Sequence, residues 1–489
     1  MTDDALAVIE FLLTARAYEA HRDLDEGDLP PAFRGAVWAG DGVGRPVTTN
    51  EETAQEATGL DDPWDAISGL MFTDRDAFSG RLKLADEDMA FEWYANNASA
   101  EDINSVPVLA FHYEQQDDIE VDPDVDYELA REQNRPVQAD PHWIQGLLTE
   151  MFDEDDEEML DLVDVRAPAE IEVTLDDMVL TEEQEQEVAK VMKAIEHRDY
   201  LATVGLREIG KLLFVGPPGT GKTTTARGLA HELDLPFVEV KLSMITSQYL
   251  GETAKNVEKV FEVAKRLSPC ILFIDEFDFV AKTRTSDEHA AIKRAVNTLL
   301  KSIDEISLVR DDVLLIGATN HPDELDAAVW RRFDEILSFP RPDEDMRRQI
   351  FEIVCQHVEV ADFEPAELAK LTEGLTGSDL RLVLREAVLD ALLYDRMELT
   401  QEDLEDAIKS FEERDHLRNL DTLEDALESD DDGHSGDGHA HGDGHAHGDG
   451  DDHADHDHDG HDHDGHDHDG DAHAEADDPP DHAPEATPE

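Results

Sequence analysis

The chain has 489 residues and carries 120 acidic against 40 basic side chains, a formal net charge of −80. That length supports roughly two to four domains, and the sign of the charge disfavours nucleic-acid backbones and anionic membranes as partners. No apolar run reaches the length of a membrane span, and the acidic start Met1-Thr2-Asp3-Asp4 is unlike a signal peptide, so a cytoplasmic protein is expected. The acid is spread along the whole chain and Arg outnumbers Lys, which points to a salt-rich cytoplasm such as that of a halophilic archaeon. At about 1 M salt the Debye length is about 3 Å and the self-repulsion fades. The alternative is an ordinary acidic protein with an acidic tail. Cys270 and Cys355 stand in apolar surroundings and read as small buried hydrophobes, not as a disulfide or a metal pair.

In chain order, Ala5 to His21 places Val8, Phe11, Leu12 and Ala15 at helical spacing and predicts a first helix. Residues 22–140 mix short strands and helices with Pro-, Gly- and Asp-rich breaks. Trp38, Trp64, Trp93 and Trp143 fall in or just past this stretch and predict a packed core rather than a disordered arm. The acidic run Phe152 to Asp164 reads as a solvated linker or helix face. Val173 to Leu180 leads into a long helix from Thr181 to about Tyr200. Strands are predicted at 212–215, 237–242, 271–275, 313–319 and 335–339. Helical segments separate most of them, and that alternation argues for a parallel sheet covered on both faces. After Pro340-Arg341-Pro342 only helices are predicted, over 345–357, 365–371, 377–394 and 401–414, the last capped by Thr400. Beyond Asp421 the chain is Asp, Gly, His and Ala, with repeated GDGHAH and HDHDG units that cannot bury a core, and disorder is expected.

Leu212 to Thr224, LLFVGPPGTGKTT, is the most informative stretch. An apolar strand breaks into Gly216-Pro217-Pro218-Gly219-Thr220-Gly221-Lys222-Thr223, and a helical run follows Thr224. This is a phosphate-binding loop in the context it requires. Glycines let successive N–H groups face one anion, and the helix N-terminus adds partial positive charge. Lys222 is the cation for the β- and γ-phosphates and Thr223 the hydroxyl for Mg²⁺. About fifty residues later, Ile271-Leu272-Phe273-Ile274 ends in Asp275-Glu276. Asp275 fits a Mg²⁺ ligand through water and Glu276 the group that polarises the attacking water. Asn320, closing Gly317-Ala318-Thr319-Asn320, can reach the γ-phosphate or that water. Arg331 and Arg332 are local ion-pair partners or, alternatively, reach a phosphate on a neighbouring subunit.

The order GPPGTGKT, ILFIDEFD, GATN, LDAAVWRRFDE and GLTGSDL resembles the AAA ATPase family, in its classical clade, over about Ile171 to Arg414. The resemblance implies an α/β P-loop NTPase fold with a five-stranded parallel sheet and a C-terminal helical lid. It implies a homohexameric ring with ATP and Mg²⁺ held between subunits. Carried over residue by residue, Lys222, Thr223, Asp275 and Glu276 match the two Walker motifs, Asn320 the first sensor, and Arg331 with Arg332 the arginine-finger pair. Gly377 stands where classical members lack a sensor arginine. Asp177 and Val179, with Ile353 in the lid, match positions around adenine. Tyr249-Leu250-Gly251 resembles a pore loop that grips a polypeptide. The finger region departs from the family by lacking the usual Pro-Gly, which leaves open which arginine acts in trans.

The expected layout is an α+β N-terminal substrate or adaptor domain of no recognised family at 1–165, the ATP-binding α/β domain at 170–340, the helical lid at 341–416 and the disordered tail at 417–489. The function that follows is an ATP-hydrolysing ring that remodels or unfolds a protein client. No nucleic-acid or membrane partner is expected. The interleaved His and Asp of the tail suit weak binding of a transition metal, and the alternatives are a metal-handling chaperone or a local switch on one dedicated complex.

Overall fold

The computed structural model describes residues 3–414, apart from 41, 77–78, 117–118, 120–122, 153–155, 208, 243–252, 279–289 and 326. The first helix, α1 (Asp3–Ala20), is the hub of the N-terminal part: Val8, Ile9, Leu12 and Leu13 are fully buried. Short helices at Pro31–Val37, Glu51–Thr58, Pro63–Ile67, Glu87–Ala95 and Pro107–Glu114 contribute to the same core. Three of the Asp-rich breaks in the sequence are helix starts. Asp62, Asp86 and Asp126 each accept a hydrogen bond from the backbone N–H three residues on, at 3.0, 3.1 and 2.9 Å, satisfying donors that a helix start leaves unpaired. Trp38, Trp64 and Trp93 pack against this core. The expected mix of short strands and helices is present, weighted to helices: among the described residues before 160, the only ladder is the antiparallel hairpin of β1 (Thr73–Arg75) and β2 (Leu82–Leu84).

The central sheet contains β3 (Val163–Arg166), β4 (Lys211–Val215), β5 (Phe237–Val240), β6 (Cys270–Ile274), β7 (Val313–Thr319) and β8 (Glu335–Ser338), in the order β3-β5-β6-β7-β4-β8. The five predicted strands are parallel to one another. Every residue of β6 and β7 is buried, as a parallel strand covered on both faces must be. One core cluster, with Val260, Phe261 and Ile303, lies to one side; another, with Leu229, Phe214 and Phe273, holds the other.

Further expectations are corrected here. The sheet has six strands, because β3 joins the edge antiparallel, Val163 opposite Val240. It begins at the end of the acidic run read as a solvated linker or helix face, which does contain the short helix Glu157–Leu160 but whose Phe152, Met159, Leu162 and Val163 are buried in the core shared with β6. Phe152, Met159 and residues 162–166 therefore pack with the nucleotide sheet, although the expected boundary places most of them in the N-terminal domain. The predicted helix over 181–200 is interrupted at His197, giving Glu182–Glu196 and Arg198–Thr203.

The phosphate-loop helix is α2 (Lys222–Glu232). After β8, helices Glu344–Val354, Pro365–Leu371, α3 (Gly377–Leu393) and 401–414 enclose a separate core around Phe351, Leu380, Val383 and Leu404. This lid is not purely helical: Val360–Ala361 pairs in parallel with Leu399–Thr400. Thr400 and Asp403 form the anticipated cap, each side chain bonded to the other's backbone N–H.

Candidate nucleotide site

Strand register brings the site together. In the sheet Val215 lies opposite Thr319 and Ile274 opposite Gly317. The loop after β4, Asp275 after β6 and Asn320 after β7 thus emerge at the carboxyl edge of neighbouring strands, the position where open α/β sheets bind ligands. The loop's glycines answer to its backbone. Gly216 has φ +153°, and a Cβ there would stand 2.1 Å from the Phe339 carbonyl oxygen. Gly221 has φ +99° and leads directly into α2. An L side chain at either position would displace the loop.

Within the loop, Lys222 Nζ donates to the carbonyls of Gly216 and Pro217 at 2.7 and 2.8 Å and to Asn320 Oδ1 at 2.8 Å. Burial pulls its ammonium below the ordinary lysine range, while Asp275 and Asp278 pull the other way. Thr223 Oγ1 donates to Asp275 Oδ2 at 2.9 Å. A cleft lined by Gly219, Lys222, Thr223, Asp275 and Asn320 follows from these contacts. The donor set suits the substrate's phosphates and Mg²⁺: a cation, loop N–H groups at a helix N-terminus, and a hydroxyl beside a carboxylate. Mg²⁺ takes few protein oxygens and completes its octahedron with water and phosphate.

Glu276, the next residue, is exposed and has φ +48°. A non-glycine residue in the left-handed region carries strain and is held there by its surroundings. Its own N–H donates to Asp275 Oδ1 at 2.8 Å, and the following Phe277 N–H donates to the Ala318 carbonyl at 2.8 Å, tying this turn to β7.

A second cleft opens between loop and lid, lined by Asp177, Val179, Gly219, Thr220, Ile353 and Gly377 among others, with about 660 Å³ of atom-free space at its mouth and interior. The Ser378 N–H at the start of α3 donates to the Gly219 carbonyl at 3.1 Å, so lid and loop touch directly. Asp177 is held below the usual carboxylate range, chiefly by the Thr174 N–H.

The sequence reading missed several neighbours. Met346 and Ile350 line the same cleft, and their spacing with Ile353, one face of the helix Glu344–Val354, was the available signal. Arg381 and Ser378 also line it. Asp278, buried, accepts from Thr319 Oγ1 at 3.1 Å, and Thr319 Oγ1 accepts from the His321 N–H at 3.0 Å, which pins the backbone on both sides of Asn320. Nothing in the sequence order pairs 278 with 319.

Other predicted residues are not gathered into these clefts. Arg332 Nε is 2.9 Å from Asp304 Oδ1, and its Nη1 donates to the Ala328 carbonyl at 2.5 Å. Arg331 is exposed and, among the described residues, makes no such bond. Tyr249, Leu250 and Gly251 lie outside the described residues, as does the His- and Asp-rich tail. No described helix is long and apolar enough to cross a membrane.

The family model of the ATPase family associated with various cellular activities (AAA) matches residues 212–341, and that of the AAA+ lid domain matches 362–406. An uncharacterized AAA family ATPase, y4kL of Sinorhizobium fredii, is 39% identical over 234 residues, 48% of this chain and 69% of its own length. The proteasome-activating nucleotidase of Methanocaldococcus jannaschii is 36% identical over 248 residues, covering 50% of this chain and 58% of its own. Proteasome-activating nucleotidase 1 of Haloferax volcanii is 35% identical over 243 residues, covering 48% and 60%. The chain thus spans somewhat over half the length of the nucleotidases it matches. Among solved structures, the FIGL-1 AAA domain aligns with a TM-score of 0.45 at 26% identity, over 54% of this chain and 90% of that one. On the matched model and the length shared with y4kL, the chain belongs to the AAA ATPase family.

Proposed function

We propose that the chain binds ATP and Mg²⁺ at this site, hydrolyses the γ-phosphate, and uses the cycle to remodel or unfold a protein client. The observation that carries the reading is the convergence of Lys222, Asn320, Thr223 and Asp275 through bonds of 2.8 and 2.9 Å at one edge of the sheet.

In this reading Lys222 exchanges its carbonyl and amide acceptors for phosphate oxygens of the substrate. Because it is partly desolvated, its charge acts there at low local dielectric. Thr223 and Asp275 hold the metal site. Mg²⁺, when bound, neutralises charge on the phosphate oxygens. Glu276 accepts a proton from the attacking water as its oxygen bonds to the γ-phosphorus and the bond to the β-phosphate oxygen breaks. Asn320, with its backbone pinned by the Asp278–Thr319 pair, orients that water or the γ-phosphate. Asp177, Val179, Ile353 and Gly377 enclose the base between loop and lid. Arg331 is the better candidate for a phosphate on a neighbouring copy, since Arg332 is already engaged by Asp304.

The similarity to nucleotidases named for activating proteasomes supports a protein client, and a ring of copies is part of the same proposal. The domain division, with residues before about 140 selecting the client, is part of the same proposal. Metal handling by the tail finds no support in the comparisons.

The test is Glu276→Gln in molar KCl. The variant is expected to bind ATP, fail to turn it over, and retain a client from its own cell extract until ATP is removed. A wild-type protein that neither binds nor hydrolyses ATP overturns the reading.

A further inference from the structure

The N-terminal core touches the nucleotide half at a telling place, the C-terminal end of α2, whose N-terminal end carries Lys222 and Thr223. Arg135 makes the contact. Its Nε lies 2.8 Å from Asp234 Oδ1, its Nη2 donates to the His231 carbonyl at 3.1 Å, and the same nitrogen is 3.3 Å from His231 Nε2. His231 is in the last turn of α2, and Asp234, just past it, has φ +50°. The Leu235 N–H reaches back to the Ala230 carbonyl at 3.0 Å, closing the helix end. Such an end normally uses glycine. Here an aspartate accepts the left-handed conformation and places its carboxylate beside a guanidinium, where a cation also complements the helix dipole.

Arg135 is itself firmly held on the N-terminal side. Its carbonyl accepts from Arg34 Nη2 at 2.7 Å. Arg34 is fully buried, donates to the Leu29 carbonyl and is paired with buried Asp140. The neighbouring Asn134 donates to the Gly27 carbonyl at 2.6 Å. Between its ends α2 has little slack: a Cβ on Gly228 would meet the Thr174 carbonyl carbon and Leu175 Cδ2 at 3.2 Å, in the segment that leads to Asp177 of the base cleft. A helix of three turns moves as a rod of about 16 Å. A shift at its back end therefore reaches both the phosphate loop and the segment before Asp177.

We propose that Arg135 is a positioning residue of the nucleotide site. The N-terminal core holds the back of α2 through it, so a change in that core alters nucleotide affinity, and by linkage nucleotide binding alters the core. This rests on the nucleotide reading given above.

The experiment uses the full chain in molar KCl. Initial hydrolysis rates give KM and kcat for wild type, Arg135→Ala, Arg135→Lys, Asp234→Asn and the Arg135→Ala/Asp234→Asn pair. Hydrogen exchange of residues 134–140 is followed with and without ATP. Truncation at Cβ leaves the Arg135 carbonyl to hold Arg34, so the core should stay folded, which its melting curve checks; Asn at 234 tolerates positive φ.

Arg135→Ala is expected to raise KM at least about five-fold, the low end of measured couplings, with kcat little changed. Lysine should recover part of the loss, and the pair should lose no more than the worse single variant. ATP should slow exchange at 134–140 in wild type and not in Arg135→Ala, which a merely structural contact would not produce. Wild-type KM and an unchanged ATP effect on exchange in Arg135→Ala overturn the coupling while leaving the site reading standing. Absence of ATP binding in wild type overturns both.

Discussion

The N-terminal core and the nucleotide edge of the sheet are built by different means. Around α1, specificity lies in side chains brought together from far apart: Arg34 with Asp140, His21 with His112 at 3.0 Å, Tyr127 with Asp28 at 2.8 Å. At the nucleotide edge it lies largely in backbone, with glycines at positive φ, carbonyls accepting from Lys222, and acids at strand ends. One region is defined by partners remote in sequence, the other by residue types at fixed local offsets. The first should therefore fail by unfolding, and the second by losing chemistry while staying folded.

The sharpest way to break that contrast is Arg34→Met. It leaves Asp140 buried without its cation, and removal of one partner of such a pair costs about 3–5 kcal/mol. Denaturation followed by tryptophan fluorescence should show an early transition from the core that contains Trp38, Trp64 and Trp93. A variant as stable as wild type would mean that the buried pair does not specify the core.

The opposite case is Lys222→Ala. Loss of one charged donor to a transition state costs about 10²–10³ in rate. Hydrolysis should fall by at least that much while the melting curve scarcely moves, which steady-state assay and calorimetry decide together.

Acid should separate the regions further. Burial, aided by His21, lowers the His112 pKa to about 4 from the ordinary 6.5. The folded state thus keeps this ring neutral where the unfolded chain has protonated it. Below about pH 6.5 the unfolded state binds the extra proton, so stability falls as pH drops, until the folded form also protonates near pH 4. The full difference is about 3 kcal/mol. Melting temperature against pH should show this slope, and His112→Gln should flatten it; an unchanged slope would assign the acid sensitivity elsewhere.

The smallest effect is at a helix end. Thr181 and Gln184 form a capping box on Glu182–Glu196, and Thr181→Ala should cost about 1 kcal/mol with catalysis intact.

Much of the nucleotide half could be read from sequence. Strands buried on both faces are continuous apolar runs, and the loop and the acids at 275 and 276 lie next to the strands that carry them. The acidic run 152–164 was read as solvated, a linker or helix face, because its charge dominates composition, while its apolar Phe152, Met159, Leu162 and Val163 reach the core and its end extends the sheet as β3. The short strands and helices read in 22–140 could not be bounded, for a related reason. Aspartates that looked like interruptions are caps, and only hydrogen-bond geometry separates a cap from a break.

Sequence by itself determined the phosphate loop, the acidic strand end, the parallel strands and the lid helices, because each rests on local backbone conformation or on periodicity within a single element. Tertiary structure alone decided that Asp278 faces Thr319, that Arg332 is tied to Asp304 and Arg331 is not, and that Arg135 reaches the back of α2. Those are pairings between residues 28 to 99 positions apart. The free energy of such a contact depends on which elements pack together, and no local pattern records it.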